Sequence, residues 1–129
     1  MVVVDASIVV EASLGARQLS DLGEELVAPP LLWPEARSAI RQGHWRGSVT
    51  SEQARAARHA LAAASVEVRD HPGLGEEAWR IAVELGWAKT YDAEYLALGS
   101  LLGCRVVTVD GRLRRGADRL GFVVGPLEL

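Results

Sequence analysis

The feature that most constrains this chain is a local pattern that occurs twice. Val2 to Val4 is an apolar run ending at Asp5, and Arg105 to Val109 is a second run ending at Asp110. Short β-branched runs without polar alternation fit strands covered on both faces, as in a parallel sheet, better than they fit helices or a half-exposed antiparallel sheet. Phe122 to Val124, Val66 to Val68 and Glu25 to Ala28 are further strand candidates. In a parallel sheet the carboxyl ends of the strands lie on one edge, so Asp5 and Asp110 are expected to share it.

Helical periodicity separates these runs. Thr50 and Gln53 form the two halves of a capping box leading into an Ala54, Ala57, Ala60, Leu61 and Ala64 stripe. Leu74 to Leu85 carries Ala78, Ile81, Ala82 and Leu85 on one face and stops at Gly86. Tyr91 to Leu102 carries Ala93, Leu96, Ala97 and Leu101 and stops at Gly103. Pro29, Pro30 and Pro34 mark a strand exit and the first turn of a helix whose body, Glu35 to Gln42, packs through Ala36, Ala39 and Ile40. Alternation of this kind specifies an α/β fold with three layers, α/β/α, around a mostly parallel central sheet.

The chain has 129 residues and no repeat, low-complexity block or linker, so residues 1–129 are read as a single domain. No apolar run approaches the roughly 20 residues of a membrane span, and the start lacks the basic and long apolar stretches of a signal peptide, so no membrane association and a cytoplasmic address are expected. One cysteine, Cys104, excludes an internal disulfide framework and a Cys-type zinc site. His44, His59 and His71 are scattered without metal-ligand spacing and read as structural or surface groups.

Four acids stand apart. Asp5 and Asp110 end strands, Asp92 lies at the start of the Tyr91 to Leu102 helix, and Glu35 falls beside the apolar stripe of its own helix next to Ala39. Each alone is an ordinary cap or loop residue. Together they occupy strand ends or inward helix edges, whereas Glu52, Glu76, Glu77 and Glu84 read as solvated helix surface. Two carboxylates about 4 Å apart repel by roughly 4 kcal/mol at an effective dielectric of 20, so a converging set calls for a cation. Oxygen ligands without His or Cys suit a hard ion, Mg²⁺ or Mn²⁺, and such an ion serves phosphodiester hydrolysis. It would also let a chain of net charge −3 hold a polyanion.

The stretches VVVDASIVV, PPLLWPEARSAI, TYDAEYLALG and VVTVDGRL, in that order and spacing, resemble the four acidic motifs of PIN-domain proteins. The small size is most similar to the VapC-type toxins of toxin-antitoxin pairs, and the likeness runs from Met1 to Leu129. The resemblance implies a PIN-like fold and an endoribonuclease using Mg²⁺ or Mn²⁺, with Asp5, Glu35, Asp92 and Asp110 on the catalytic positions. It implies that Asp5 and Asp92 touch the metal directly, and that Ser7 and Thr108 support the acids. A homodimer, a cognate antitoxin partner and an RNA substrate follow from the same resemblance. The chain departs from the family at Gly99, read as ending its helix where Ala is common, and at Gly111, read as loosening the backbone after Asp110.

Thirteen of the fourteen basic residues are Arg. Arg112, Arg114 and Arg115 follow Asp110, and Arg37, Arg41 and Arg46 follow Glu35, so phosphate contacts and a solvated, ion-paired face are both open for them. Trp33, Trp45, Trp79 and Trp87 are open to core, interface or base-stacking roles. Two other functions compete. A receiver-type phosphoacceptor domain also gathers acids at strand ends, but it expects an acid pair on the first strand and a Lys after the last, and VVVDAS and FVVGPLEL carry neither. A noncatalytic PIN-like binding module does not need all four acids, and all four are present.

Overall fold

β1 (Val2–Val4) is the middle strand of a five-stranded sheet in the computed structural model, which describes Met1–Leu129. β2 (Leu26–Ala28) and then β3 (Glu67–Val68) lie on one side of it, and β4 (Val106–Val107) and then β5 (Val123–Val124) on the other. Every neighbouring pair is parallel, with Val3 opposite Val27 in β2 and Val106 in β4. Val2, Val3, Val4, Val27, Val106 and Val107 are buried, as runs without polar alternation require.

The chain works outward from β1 to β3, then returns to the other side of β1. Right-handed crossovers in the two directions put their helices on opposite faces of the sheet. On one face pack α1 (Ala6–Ser13), α2 (Leu32–Trp45) and α3 (Ser51–Ala62), and on the other α4 (Leu74–Leu85) and α5 (Tyr91–Leu102) form a tight pair. The strand order reverses between β1 and β4, and in open α/β sheets the crevice for a ligand opens at that place, beyond the strands' carboxyl ends. No helix is long and apolar enough to cross a membrane.

Several elements follow from their sequences in detail. α4 and α5 have the expected bounds and end on Gly86 and Gly103, both in the left-handed conformation. The capping box at Thr50 and Gln53 has both of its hydrogen bonds, 3.1 and 2.9 Å. α2 is longer than the expected body, and the structure adds two helices absent from the sequence reading, α1 and α6 (Gly111–Gly116). In α1 the segment ASIVVEAS is rich in β-branched residues, yet Asp5 caps it through Ile8 N and tertiary packing on α2 and α3 overrides the propensity. α6 is held by the Asp110 cap.

Ala60, expected in the buried stripe of α3, is exposed, because the stripe runs through Ala54, Ala57 and Leu61. Glu77 is not fully solvated. It accepts a hydrogen bond from Ser100 Oγ at 3.0 Å and pairs with Arg80, tying α4 to α5, and its side chain is 17% exposed. Gly111 is the first residue of α6, directly after the Asp110 cap.

Gly99 does not end its helix. It lies within α5, where an added Cβ would stand 2.6 Å from Val106 Cγ2 and 3.1 Å from the Cys104 carbonyl oxygen. The missing side chain lets α5 sit against β4. Gly99→Ala would gain up to about 1 kcal/mol of helix propensity, but overpacking costs typically about 1–3 kcal/mol. Urea unfolding should therefore show a net loss of about 1 kcal/mol, and a gain in stability would mean that α5 stands off the sheet.

Candidate active site

Asp5 leaves the central strand and is only 5% exposed. Its carboxylate is surrounded by donors. Oδ1 accepts from Ser7 Oγ at 2.6 Å and from Ile8 N at 3.3 Å, and Oδ2 accepts from Thr108 Oγ1. Thr108 in turn accepts from Asp110 N at 2.9 Å, and Ser7 Oγ accepts from Val109 N at 3.1 Å. These hydroxyls lock the segment after β1 to the segment after β4. Burial nevertheless dominates, and together with the nearby Asp110 charge it pushes the Asp5 carboxyl up to about 6 against the opposing hydrogen bonds.

Asp110 spends Oδ1 on the first turn of α6, accepting from Arg112 N at 2.9 Å and Leu113 N at 3.4 Å. Glu35, on the first turn of α2, accepts from the phenol of Tyr95 at 2.9 Å. Burial raises the Glu35 carboxyl, the Tyr95 hydrogen bond opposes that rise, and the charges of Asp92, Asp5 and Glu94 add to it. Asp92, on the first turn of α5, is raised by burial and by Asp110, with Arg112 opposing.

Glu35, Asp92 and Asp110 line one cleft of about 600 Å³, whose other walls include Trp87, Lys89, Tyr91, Arg112 and Leu113. Asp5 lies buried beneath, within electrostatic reach of Glu35 and Asp110. The four acids thus share one neighbourhood at the strand-order reversal. No three of them converge to the spacing of a closed metal-ligand set. That arrangement still fits a hard ion such as Mg²⁺, which keeps several waters and is commonly held by one or two carboxylates.

The arginines divide. Arg112 lines the cleft, Arg114 pairs with Glu128, and the Arg115 guanidinium turns back over Gly111. Arg37, Arg41 and Arg46 lie outside the cleft lining, and Arg41 sits over the Trp45 ring at 5.4 Å. His44 bonds Ser51 at 3.0 Å and His71 accepts from Gly73 N at 2.9 Å, so neither serves the site.

Sequence reasoning missed Tyr95 and Glu94. Tyr95 is fully buried, and its hydroxyl joins α5 to α2 through Glu35. Its signal was its position three residues after Asp92, on nearly the same face of the helix. Glu94 is half-buried and its carboxyl is raised by desolvation.

The sequence matches the PIN domain family across residues 2–119. This chain belongs to the PIN domain family. It is 35% identical over 115 residues to Ribonuclease VapC9 of Mycobacterium tuberculosis, covering 88% of each chain, and 36% identical over 118 residues to Ribonuclease VapC1 of the same species, covering 86% of each. Among solved structures, PAE2754 from Pyrobaculum aerophilum superposes with a TM-score of 0.75 at 26% identity, covering 98% of this chain and 90% of that one. A toxin-antitoxin complex from Klebsiella pneumoniae has a chain of the same fold, with a TM-score of 0.70 at 19% identity and 98% of both chains covered. Within this PIN fold the alternation of buried strands and helices has the sequence order and parallel sense expected of it.

The raised Asp5 carboxyl makes a signed prediction for the metal-free PIN domain. The folded state holds this proton more tightly than the unfolded chain, whose value is about 3.9. The group's favourable contribution is therefore complete below about pH 4 and is lost as pH rises to about 6. A shift of about two units corresponds to about 3 kcal/mol. In EDTA, the stability of Asp5→Asn relative to wild type should rise by about that amount between pH 4 and pH 7. A difference that stays flat with pH would show a well-solvated carboxylate.

Proposed function

We propose that this chain is a metal-dependent endoribonuclease, the toxin of a toxin-antitoxin pair, which hydrolyses RNA phosphodiesters with the help of Mg²⁺ or Mn²⁺. The observation that carries the reading is the set of four acids gathered around one cleft in a chain that is 35–36% identical, over most of its length, to proteins named ribonuclease VapC. The whole span 1–129 acts as one domain in this reading, in the cytoplasm.

Asp5 and Asp92 are assigned as the residues that hold the ion. Such an ion, when bound, supplies positive charge to the phosphate oxygens and makes water more acidic. Asp5 is suited to this because Ser7, Thr108 and Ile8 N fix both of its oxygens without adding a countercharge. Glu35 is assigned the proton of the attacking water, since desolvation raises its basicity and Tyr95 orients it through Oε1. Asp110 keeps Oδ2 for the cleft while Oδ1 caps α6.

Cleavage of single-stranded RNA should require Mg²⁺ or Mn²⁺, stop with EDTA and leave 5′-phosphate and 3′-hydroxyl ends, because water attacks and the 2′-hydroxyl is not consumed. Asp5→Ala and Asp92→Ala should each lower the rate by about a hundredfold or more, while Glu76→Ala, on the exposed face of α4, should leave it unchanged. A 2′,3′-cyclic phosphate product, or full activity in Asp5→Ala, contradicts the assignment.

A homodimer and a cognate antitoxin complete the reading. The Ala- and Leu-rich faces of α2 and α3 are largely spent on the core. Among the exposed large apolar side chains, Trp79 at 65% and Val83 at 68% lie one turn apart on α4. If dimerisation uses that face, Trp79→Ser with Val83→Ser should give a monomer by light scattering at tens of micromolar while wild type remains dimeric. A wild-type monomer under those conditions contradicts it.

A further inference from the structure

An acidic cleft repels a polyanion, so a nuclease of this design needs groups at the mouth that receive RNA before its phosphate reaches the acids. Three side chains lining the cleft have the required chemistry. Tyr91 directly precedes Asp92 and is 58% exposed, although ring carbons gain nothing from water. Lys89, the only lysine in the chain, lies two residues before it on the same wall. Arg112 stands on the wall formed by α6, with its side chain 89% exposed.

Alternative employments of these groups are weak or absent. Arg112 Nε is 4.0 Å from Asp110 Oδ1, a long contact at a solvated position, and such pairs hold little energy. Lys89 has no ion pair in the structure, and Tyr91 has no side-chain hydrogen bond. By contrast Arg114 and Arg80 are engaged with Glu128 and Glu77, and the Trp87 indole is packed against Gly116 as part of the wall.

We infer that Tyr91, Lys89 and Arg112 form a rim that holds one unpaired nucleotide of the RNA, its base stacked on the Tyr91 ring and its flanking phosphates on Lys89 and Arg112. The inference rests on the ribonuclease reading and names the residues that receive its single-stranded substrate. A base inside a duplex has both faces covered by its neighbours, whereas an unstacked base can lie on an aromatic ring. The cleft volume of about 600 Å³ lies in the range of pockets that enclose one small ligand, and a duplex is far larger. Because a ring stacks on any base, the rim is sequence-tolerant.

The test measures binding of a fluorescein-labelled single-stranded decamer to Asp5→Asn protein in Mg²⁺, which leaves the RNA uncut. Adding Tyr91→Ala should weaken binding by roughly 5- to 150-fold, while Tyr91→Phe should stay within about twofold. Against a decamer of ribose phosphates lacking bases, Tyr91→Ala should have no effect, so the losses from removing the ring and removing the bases should not add. Lys89→Gln and Arg112→Gln should each flatten the salt dependence of log Kd by about 0.7, whereas Arg55→Gln, on the exposed face of α3, should not. Unchanged binding in Tyr91→Ala, or an equal loss on the baseless chain, overturns the stacking. Unchanged salt slopes overturn the phosphate contacts. Cleavage by otherwise wild-type protein separates the two levels. Full cutting at limiting RNA in Tyr91→Ala refutes the rim alone, and a wild-type protein that cuts no RNA refutes the ribonuclease reading and the rim with it.

Discussion

A carboxylate removed from water at the carboxyl end of the central strand governs this molecule. Asp5 cannot retreat, because β1 is flanked on both sides by paired strands and α1 begins at the next residue. Its two oxygens are satisfied by hydroxyls and one amide, none of them charged. Neutral donors hold the carboxylate in place but leave its charge uncompensated, and burial wins over their effect on its proton affinity. The same network fixes the neighbouring segments. Thr108 and Ser7 bind Asp5 and also receive the amides of Asp110 and Val109, so the crevice between β1 and β4 is built around this one side chain.

The other acids extend that condition. Glu35 and Asp92 come from helices on opposite faces of the sheet, and each is raised chiefly by desolvation and further by its acidic neighbours. The fold therefore concentrates negative charge where its own basic residues do not neutralise it. Arg112 reaches the edge of the cleft and remains solvated, and most of the other arginines serve ion pairs or exposed helix faces. A site arranged in this way is stabilised by a cation from outside the chain, and the chemistry proposed for it depends on that cation.

Much of this was legible in the sequence because the relevant signals are local. A buried parallel strand must be apolar throughout and must end where polarity begins, and VVVD and VVTVD both state this. Gly86 and Gly103 mark helix ends because the left-handed conformation there favours glycine. What was not legible depends on three-dimensional contact. The segment ASIVVEAS reads as no particular element, because the Asp5 cap and the packing on α2 and α3 make it a helix, and Gly99 reads as a helix end until β4 is packed against it. The role of the Tyr95 phenol shows only when Glu35 arrives from 60 residues away. Glu77 reads as surface until Ser100 reaches it from α5. The acids were found by their positions at element ends, but the division of the arginines into one at the cleft and others held elsewhere required side-chain geometry.

The most direct test of a cation site at the cluster around Asp5 is the gain in unfolding free energy on adding Mn²⁺. Wild type should gain about 2.7 kcal/mol at a hundredfold excess of ion over its dissociation constant. Asp5→Asn and Asp92→Asn should each gain much less at the same concentration. Equal gains in all three proteins would contradict the account.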